Sequence, residues 1–238
     1  MSESSRMKIR CVVFDFDRTL VNLTDFVDWE HARRLIIQTY LKNGAPENLV
    51  RRFSRGSFYL LLIKIHEGLL KCLPPNEAEK IQAAVFGVLE ESEAEGAFNS
   101  QLMPGCPETL QWLKNKGVKI GIASSNSYRV IKEILRLHTL NPFIDALVAR
   151  DIRYRMKPHP DQFLLCMKKI GCKSQNGVAV GDSRWDIVAA KEAGMFAIGI
   201  LTGLTGREEL LAVGPDKIIR SLHELPDALI TLDSSLAS

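Results

Sequence analysis

The apolar positions of this chain change their period twice. "CVVF" (Cys11–Phe14) is an unbroken apolar run. With Ile9 before it, this predicts a strand over Ile9–Phe14 that is buried on both faces. From Thr24 to about Glu95 the spacing becomes helical. "TDFVDWEHARRLIIQTYLKNG" offers Thr24 or Asp25 as a cap and Gly44 as a stop. A second stretch opens at Pro46, a favoured first-turn residue, and Gly56 interrupts it. "LPPNEAEKIQAAVFGVLEESEAEG" is a third. Beyond "MPGCPETL" the pattern turns to alternation of strands and helices. The strands are "VKIGIA", "DALVA", "GVAVG" and, last, "MFAIGI"; the helices run over 108–116, 129–137, 160–170 and 185–193. This alternation predicts an α/β fold, a Rossmann-like parallel sheet with helices on both faces. The helical stretch is an insert in it. Residues 1–21 and 100–238 form the expected α/β core, and residues 22–99 the expected α-helical domain. The first and last few residues are expected to be loose.

Composition narrows the class. The chain has 238 residues with 46% hydrophobic residues, the share of an ordinary globule. The net charge of +3 is too mild to argue for nucleic acid or an anionic membrane surface. No apolar stretch is long enough to span a bilayer, and the polar start does not read as a signal peptide. Five widely spaced cysteines without a C-x-x-C pair predict reduced thiols, no zinc site and a cytoplasmic protein.

Four polar clusters follow the strands of the α/β part. Asp15-x-Asp17-x-Thr19 follows the first. Ser124, Ser125 and Asn126 follow "VKIGIA". Lys157 opens "KPHPD". Asp182 and Asp186 lie in "GDSRWD". In a parallel sheet such strand ends share one edge, so distant residues converge there. Asp15, Asp17, Asp182 and Asp186 supply hard oxygen donors of the kind Mg²⁺ takes beside a phosphate. Ser124 and nearby backbone N–H groups can donate to phosphate oxygens, and Lys157 adds a compact positive charge. With a metal and a lysine holding the phosphoryl group, Asp15 could form an aspartyl phosphate. Asp17 could protonate the leaving oxygen and then activate water.

D-x-D-x-T-L, the serine after the next strand, K-P-x-P-D and G-D-S-x-x-D occur here in the order of the haloacid dehalogenase-like phosphohydrolases, which this chain resembles from Asp15 to Asp186. The resemblance implies Asp15 as nucleophile and Asp17 as general acid/base. It implies Thr19, Ser124, Ser125, Asn126 and Lys157 around the phosphoryl group. Mg²⁺ would be held by Asp15, the backbone carbonyl of Asp17, Asp182 and Asp186, the last of which could instead support Lys157. The insert between the first two motifs resembles the α-helical cap of the branch that includes phosphoglycolate phosphatases and β-phosphoglucomutases. The expected activity is Mg²⁺-dependent hydrolysis of a small phosphorylated metabolite. A sugar phosphomutase, or a non-catalytic protein keeping the fold, is the alternative. Relatives carry glycine where this chain has Arg18, a position that suggests a need for backbone freedom. Arg51 and Arg55 share a helix face and could anchor an anionic substrate, although a solvated face is the plainer reading. Trp29 and Trp185 read as packing residues rather than stacking platforms.

Overall fold

A computed structural model describes residues 7–236. The expectation of loose chain ends concerns residues outside that range. Six parallel strands form one sheet: β1 (Cys11–Phe14), β2 (Lys119–Ala123), β3 (Ala146–Val148), β4 (Gly177–Gly181), β5 (Phe196–Ile200) and β6 (Lys217–Ile219), in the order β3-β2-β1-β4-β5-β6. "MFAIGI" is therefore not the last strand. β6 adds an edge of three residues, too short and too close to charged residues for a periodic signal.

Strand side chains alternate between two apolar layers. Val12, Phe14, Ile120, Ile122, Val178, Val180, Ile198 and Ile200 pack in one. That layer lies against α5 (Cys106–Asn115), α6 (Tyr128–Leu137) and α10 (Leu225–Ser235), which contribute Leu110, Ile131 and Leu229. Cys11, Val13, Ala179 and Ala197 enter the other, with α7 (Asp161–Ile170) and α8 (Arg184–Glu192). Small residues on this side let α7 approach closely. A Cβ on Gly121 would stand 2.4 Å from the sulfur of Cys166. α9 (Arg207–Leu211) and α10 lie in the tail, where no helix was expected from periodicity.

The helical stretch between β1 and α5 resolves into α1 (Trp29–Lys42), α2 (Glu47–Phe53), α3 (Phe58–Cys72) and α4 (Pro75–Ala97). The break between α2 and α3 falls at Gly56, as the sequence suggests. This block has its own apolar cluster, including Ile36, Tyr40, Leu61, Ile65, Ile81, Val85 and Leu89. Inside it the Tyr40 hydroxyl donates to Gln82 Oε1 at 2.8 Å, tying α1 to α4. α1 starts later than expected. Asp28 caps it by accepting from the His31 N–H at 2.8 Å. Thr24 and Asp25 lie in a short 3₁₀ turn, Leu23–Phe26, and their side chains are used elsewhere. The two chain crossings between block and sheet run side by side: Asn22 N–H donates to the Gln101 carbonyl at 3.0 Å and Gln101 N–H to Asn22 Oδ1 at 2.7 Å.

Candidate active site

The carboxyl ends of β1, β2 and β4 open on one cavity of about 390 Å³ beneath the helical block. Each catalytic candidate is placed by its strand. Asp15 follows β1, and its backbone N–H stays in the sheet by donating to the Val180 carbonyl at 2.8 Å. The chain then folds into a tight turn in which Arg18 takes a left-handed φ of 58°. This is the backbone freedom a glycine would supply, and the chain reaches it with an arginine instead. The Arg18 guanidinium is anchored on Asp25 at 2.5 Å. That pair removes Asp25 from capping duty.

Lys157 is the centre of the charge arrangement. Its ammonium, 3% exposed, donates to Asp15 Oδ1 at 2.6 Å and to Asp186 Oδ1. Burial alone would push its pKa down, but the Asp15 and Asp186 carboxylates outweigh burial and hold it above the ordinary lysine value. Asp186 also closes a capping box at the start of α8, its Oδ2 accepting from the Ser183 hydroxyl at 2.6 Å and the Ser183 N–H at 3.0 Å. Both Asp186 oxygens therefore have donors. Asp182 has none among the described residues. Burial pushes its carboxyl well above the usual range, and the nearby charges of Asp15 and Asp186 push it further. Burial likewise raises Asp15 to about 7; Lys157 opposes this, and Asp186 and Asp17 reinforce it. Asp15, Asp182 and Asp186 can each present an oxygen within 4.8 Å of the others. Three buried carboxylates around one ammonium leave an excess of negative charge. An all-oxygen set of that charge fits a hard divalent cation.

Asp17 lies on the same cavity wall, and both its oxygens are engaged by Thr24, through the N–H at 3.0 Å and the hydroxyl. Burial raises its pKa, against the two Thr24 hydrogen bonds and the Arg18 charge. Ser124 and Asn126 form a small loop after β2: the Ser124 hydroxyl donates to Asn126 Oδ1 at 3.0 Å and accepts from the Asn126 N–H at 3.2 Å. Ser125 is on the wall beside them. Ser127, the last residue of "SSNS", instead caps α6 through the Val130 N–H.

Not every candidate arrives at the cavity. Thr19 is wholly buried, its hydroxyl has no partner among the described residues, and it is absent from the cavity wall. Arg51 is exposed on α2 and pairs with Glu47 one turn away; Arg55 is exposed in the turn after α2. Neither lines the cavity, so the structure does not place an anion anchor there. Trp29 and Trp185, expected as packing residues, both reach the wall.

Sequence reasoning missed a buried clasp. Glu93 near the end of α4 is 1% exposed and faces Arg150, just beyond β3. Arg150 Nη1 donates to Glu93 Oε1 at 2.7 Å and to the Ser125 carbonyl at 2.7 Å, while Nη2 donates to Glu93 Oε2 at 3.1 Å. Glu93 also accepts from Asn126 Nδ2 at 3.1 Å and from the Ser127 N–H at 3.0 Å. The helical block is thus hydrogen-bonded to the serine loop through one carboxylate. The signal available was a charged residue directly after a strand end, at Arg150. Glu93 had none, because it lies in an acidic helix tail that reads as solvated.

Gly203, next to the lining residue Leu204, packs against Asp182. A Cβ there would stand 1.8 Å from Asp182 Oδ2, so the loop after β5 presses its bare backbone on that carboxylate. Gly203→Ala should therefore displace Asp182. We expect affinity for a divalent cation to fall about tenfold, with a near-parental circular dichroism spectrum. Unchanged divalent-cation binding would show that Asp182 is not held by this contact.

The family description for haloacid dehalogenase-like hydrolases matches residues 9–194 of this chain. The chain belongs to that family. It is a phosphatase, and its relatives differ in what they are named for. A protein of Dickeya dadantii described as "Probable phosphatase IndB" is 30% identical over 238 residues, covering 95% of this chain and 97% of its own. Pyrophosphatase PpaX of Bacillus cereus is 28% identical over 229 residues, covering 96% and 100%. Among solved structures, a hydrolase from Pseudomonas syringae superposes with a TM-score of 0.65 over 93% of this chain and 98% of its own, at 22% identity. That last likeness is one of fold.

Proposed function

We propose that this phosphatase hydrolyses a small phosphomonoester through an aspartyl phosphate on Asp15, with Mg²⁺ as cofactor. The observation that carries this reading is the Lys157 ammonium held between Asp15 and Asp186 at the floor of a cavity that also receives Ser124–Asn126, Asp17 and Asp182. Among the described residues of the cavity wall, Asp15 Oδ2 and the Asp182 carboxylate are the acidic oxygens without a protein donor, so these two residues would hold the metal and Asp186 would hold Lys157. A bound divalent cation would favour ionised Asp15 and offset the charge of the phosphoryl group.

The chain's own groups do the rest. Lys157 orients the Asp15 carboxylate through its hydrogen bond to Oδ1, so that one carboxylate oxygen would hold the metal while the other faces the phosphorus. The Ser124–Asn126 loop donates to the phosphoryl oxygens. Asp17, whose pKa burial raises, can carry the proton that the leaving oxygen needs and afterwards take one from the attacking water. Thr24 fixes its carboxyl, and Thr24 belongs to the chain crossing into the helical block. Motion of the block would therefore move the acid with it. The block serves as a cap that excludes bulk water. A mutase would return the phosphoryl group to another hydroxyl; a sugar phosphate supplied as substrate separates the two, since only hydrolysis releases free phosphate.

Phosphate release should require Mg²⁺ and cease in chelator. Full turnover in chelator would contradict the reading. Stability gives a second test. Folded Asp15 keeps its proton up to about pH 7, whereas the unfolded chain releases it near the ordinary 3.8. The folded state binds more protons between those values, so metal-free stability should fall as pH rises from about 4 to about 7. Mg²⁺ competes with those protons. Its stabilisation should therefore be much larger at pH 8 than at pH 5, measured as a shift in Tm. Equal shifts at the two pH values would contradict binding to these carboxylates.

A further inference from the structure

The wall of the cavity away from Asp15 is apolar. Trp29, Phe58, Leu62 and Leu89 come from the helical block; Trp185 and Leu204 come from the sheet side. Trp29 meets Phe58 edge to face, with ring centroids 5.0 Å apart. Leu204 is 85% exposed on the loop after β5, directly beside Gly203. Gly203 packs against Asp182, which holds this loop at the site, and Leu204 lines the cavity there. An apolar side chain left so exposed on the rim of a cavity is covered when a ligand with apolar surface enters.

The charges around this wall point the same way. Arg18 pairs with Asp25 through Nη2, while its buried Nε has no partner among the described residues. Arg150 spends both terminal nitrogens on Glu93 and Ser125 and lies over the ring of Phe86 at 5.2 Å. Arg33, behind Phe58, donates to the Ser54 and Gly56 carbonyls at 3.0 and 2.9 Å. Lys157 is committed to the phosphoryl end. Among the described wall residues, Arg18 Nε is the cationic donor left for a second anionic group on the substrate, a carboxylate or another phosphate, and the charge of that guanidinium is already paired with Asp25. Arg184 is exposed and stacks on Trp185 at 4.2 Å, outside the lining.

Resting on the phosphatase reading above, we infer that the leaving group this enzyme accepts is uncharged and carries an apolar or aromatic body, seated between Trp29 and Leu89 on the helical side and Trp185 and Leu204 on the sheet side. Such a cavity suits a small ligand whose apolar surface is buried on most sides and whose one polar end is fixed by a few groups. The substrate is then unlike pyrophosphate, and unlike an ester whose alcohol bears a carboxylate.

The test compares 2-phenylethyl phosphate, ethyl phosphate, phosphoglycolate and pyrophosphate, with the native enzyme at saturating Mg²⁺ and phosphate release as readout. The first two share a primary-alcohol leaving group and differ mainly in apolar surface. We expect kcat/KM for 2-phenylethyl phosphate to exceed that for ethyl phosphate by about tenfold or more. It should exceed that for phosphoglycolate and pyrophosphate by at least as much. Leu204→Asp should narrow the 2-phenylethyl to ethyl ratio several-fold, and Trp185→Ala should do the same. A ratio near one, or a preference for phosphoglycolate or pyrophosphate, would overturn the inference while leaving the phosphatase reading intact. A phosphoglycolate preference abolished by Arg184→Ala would overturn it by assigning Arg184 as an anion site. Release of phosphate from none of the four would overturn the phosphatase reading itself, and the inference with it.

Discussion

Asp15→Asn should stop turnover without unfolding the protein. The substitution keeps the side-chain shape and removes the attacking anion. Loss of a nucleophile with the rest of the site in place lowers kcat by about 10⁴-fold or more, as nucleophile deletions do in other covalent catalysts. The same variant makes a prediction about stability. Burial raises the Asp15 pKa even though Lys157 is beside it, so the ionised carboxylate is a net burden on the metal-free fold. A neutral amide has no such burden. Metal-free Asp15→Asn should therefore melt at or above the parent at pH 8, and the two should converge toward pH 5, where the parent carboxyl regains its proton. A low melting temperature at pH 8 would mean that activity was lost through the fold, and the nucleophile assignment would then lack this support.

Lys157→Met should fail in the opposite way. Methionine is similar in length but uncharged, and it leaves Asp15 and Asp186 without the ammonium they share. Breaking a buried pair by removing one partner costs about 3–5 kcal/mol. That cost should appear in metal-free protein at pH 8 and shrink as the pH falls toward 5. Without the ammonium the Asp15 carboxyl holds its proton to higher pH in the folded state, so folding is favoured again once it is protonated. Catalysis should drop by about 10³-fold, because nothing else at this position offsets the phosphoryl charge. Urea denaturation at the two pH values measures the first effect. Equal stability of variant and parent at pH 8 would show that the ammonium is not what permits two buried carboxylates. Lys157→Arg should not rescue activity, since a planar guanidinium cannot replace a compact ammonium lodged between Asp15 and Asp186.

The sheet was legible where strands are buried on both faces. "CVVF", "GVAVG" and "FAIGI" stand out because nothing polar interrupts them. β6 escaped notice because a three-residue edge strand needs no such run. The acids and Lys157 were legible for a related reason: side chains at the ends of parallel strands must share an edge, so chemistry scattered from Asp15 to Asp186 could be gathered without coordinates. Contacts between the insert and the sheet obey no such rule. Glu93 and Arg150 are 57 residues apart, and only the packing of α4 over the serine loop makes them partners. Thr24 carries an N-cap residue's chemistry and spends it on Asp17 instead. Thr19 and Arg51 fit a pattern in the chain, yet one lies in the core and the other on an exposed helix face. Arg18 is the reverse case. A missing glycine looked like a departure, and the turn keeps its left-handed conformation all the same.

The central claim, that the phosphoryl group passes through Asp15 with Asp17 as acid and base, is open to direct trapping. Asp17→Asn keeps the nucleophile, Lys157 and the serine loop. An activated aryl phosphate leaves without a proton, so attack by Asp15 should proceed in this variant. Breakdown still needs a base to activate water, and asparagine is none. Aspartyl phosphate should accumulate. Quenching in acid, digestion and mass spectrometry should find one phosphoryl group on the peptide that contains Asp15, and none on the same peptide from the double variant Asp15→Asn, Asp17→Asn. Phosphate on another residue, or no phosphorylated peptide while phosphate release continues, would contradict the account.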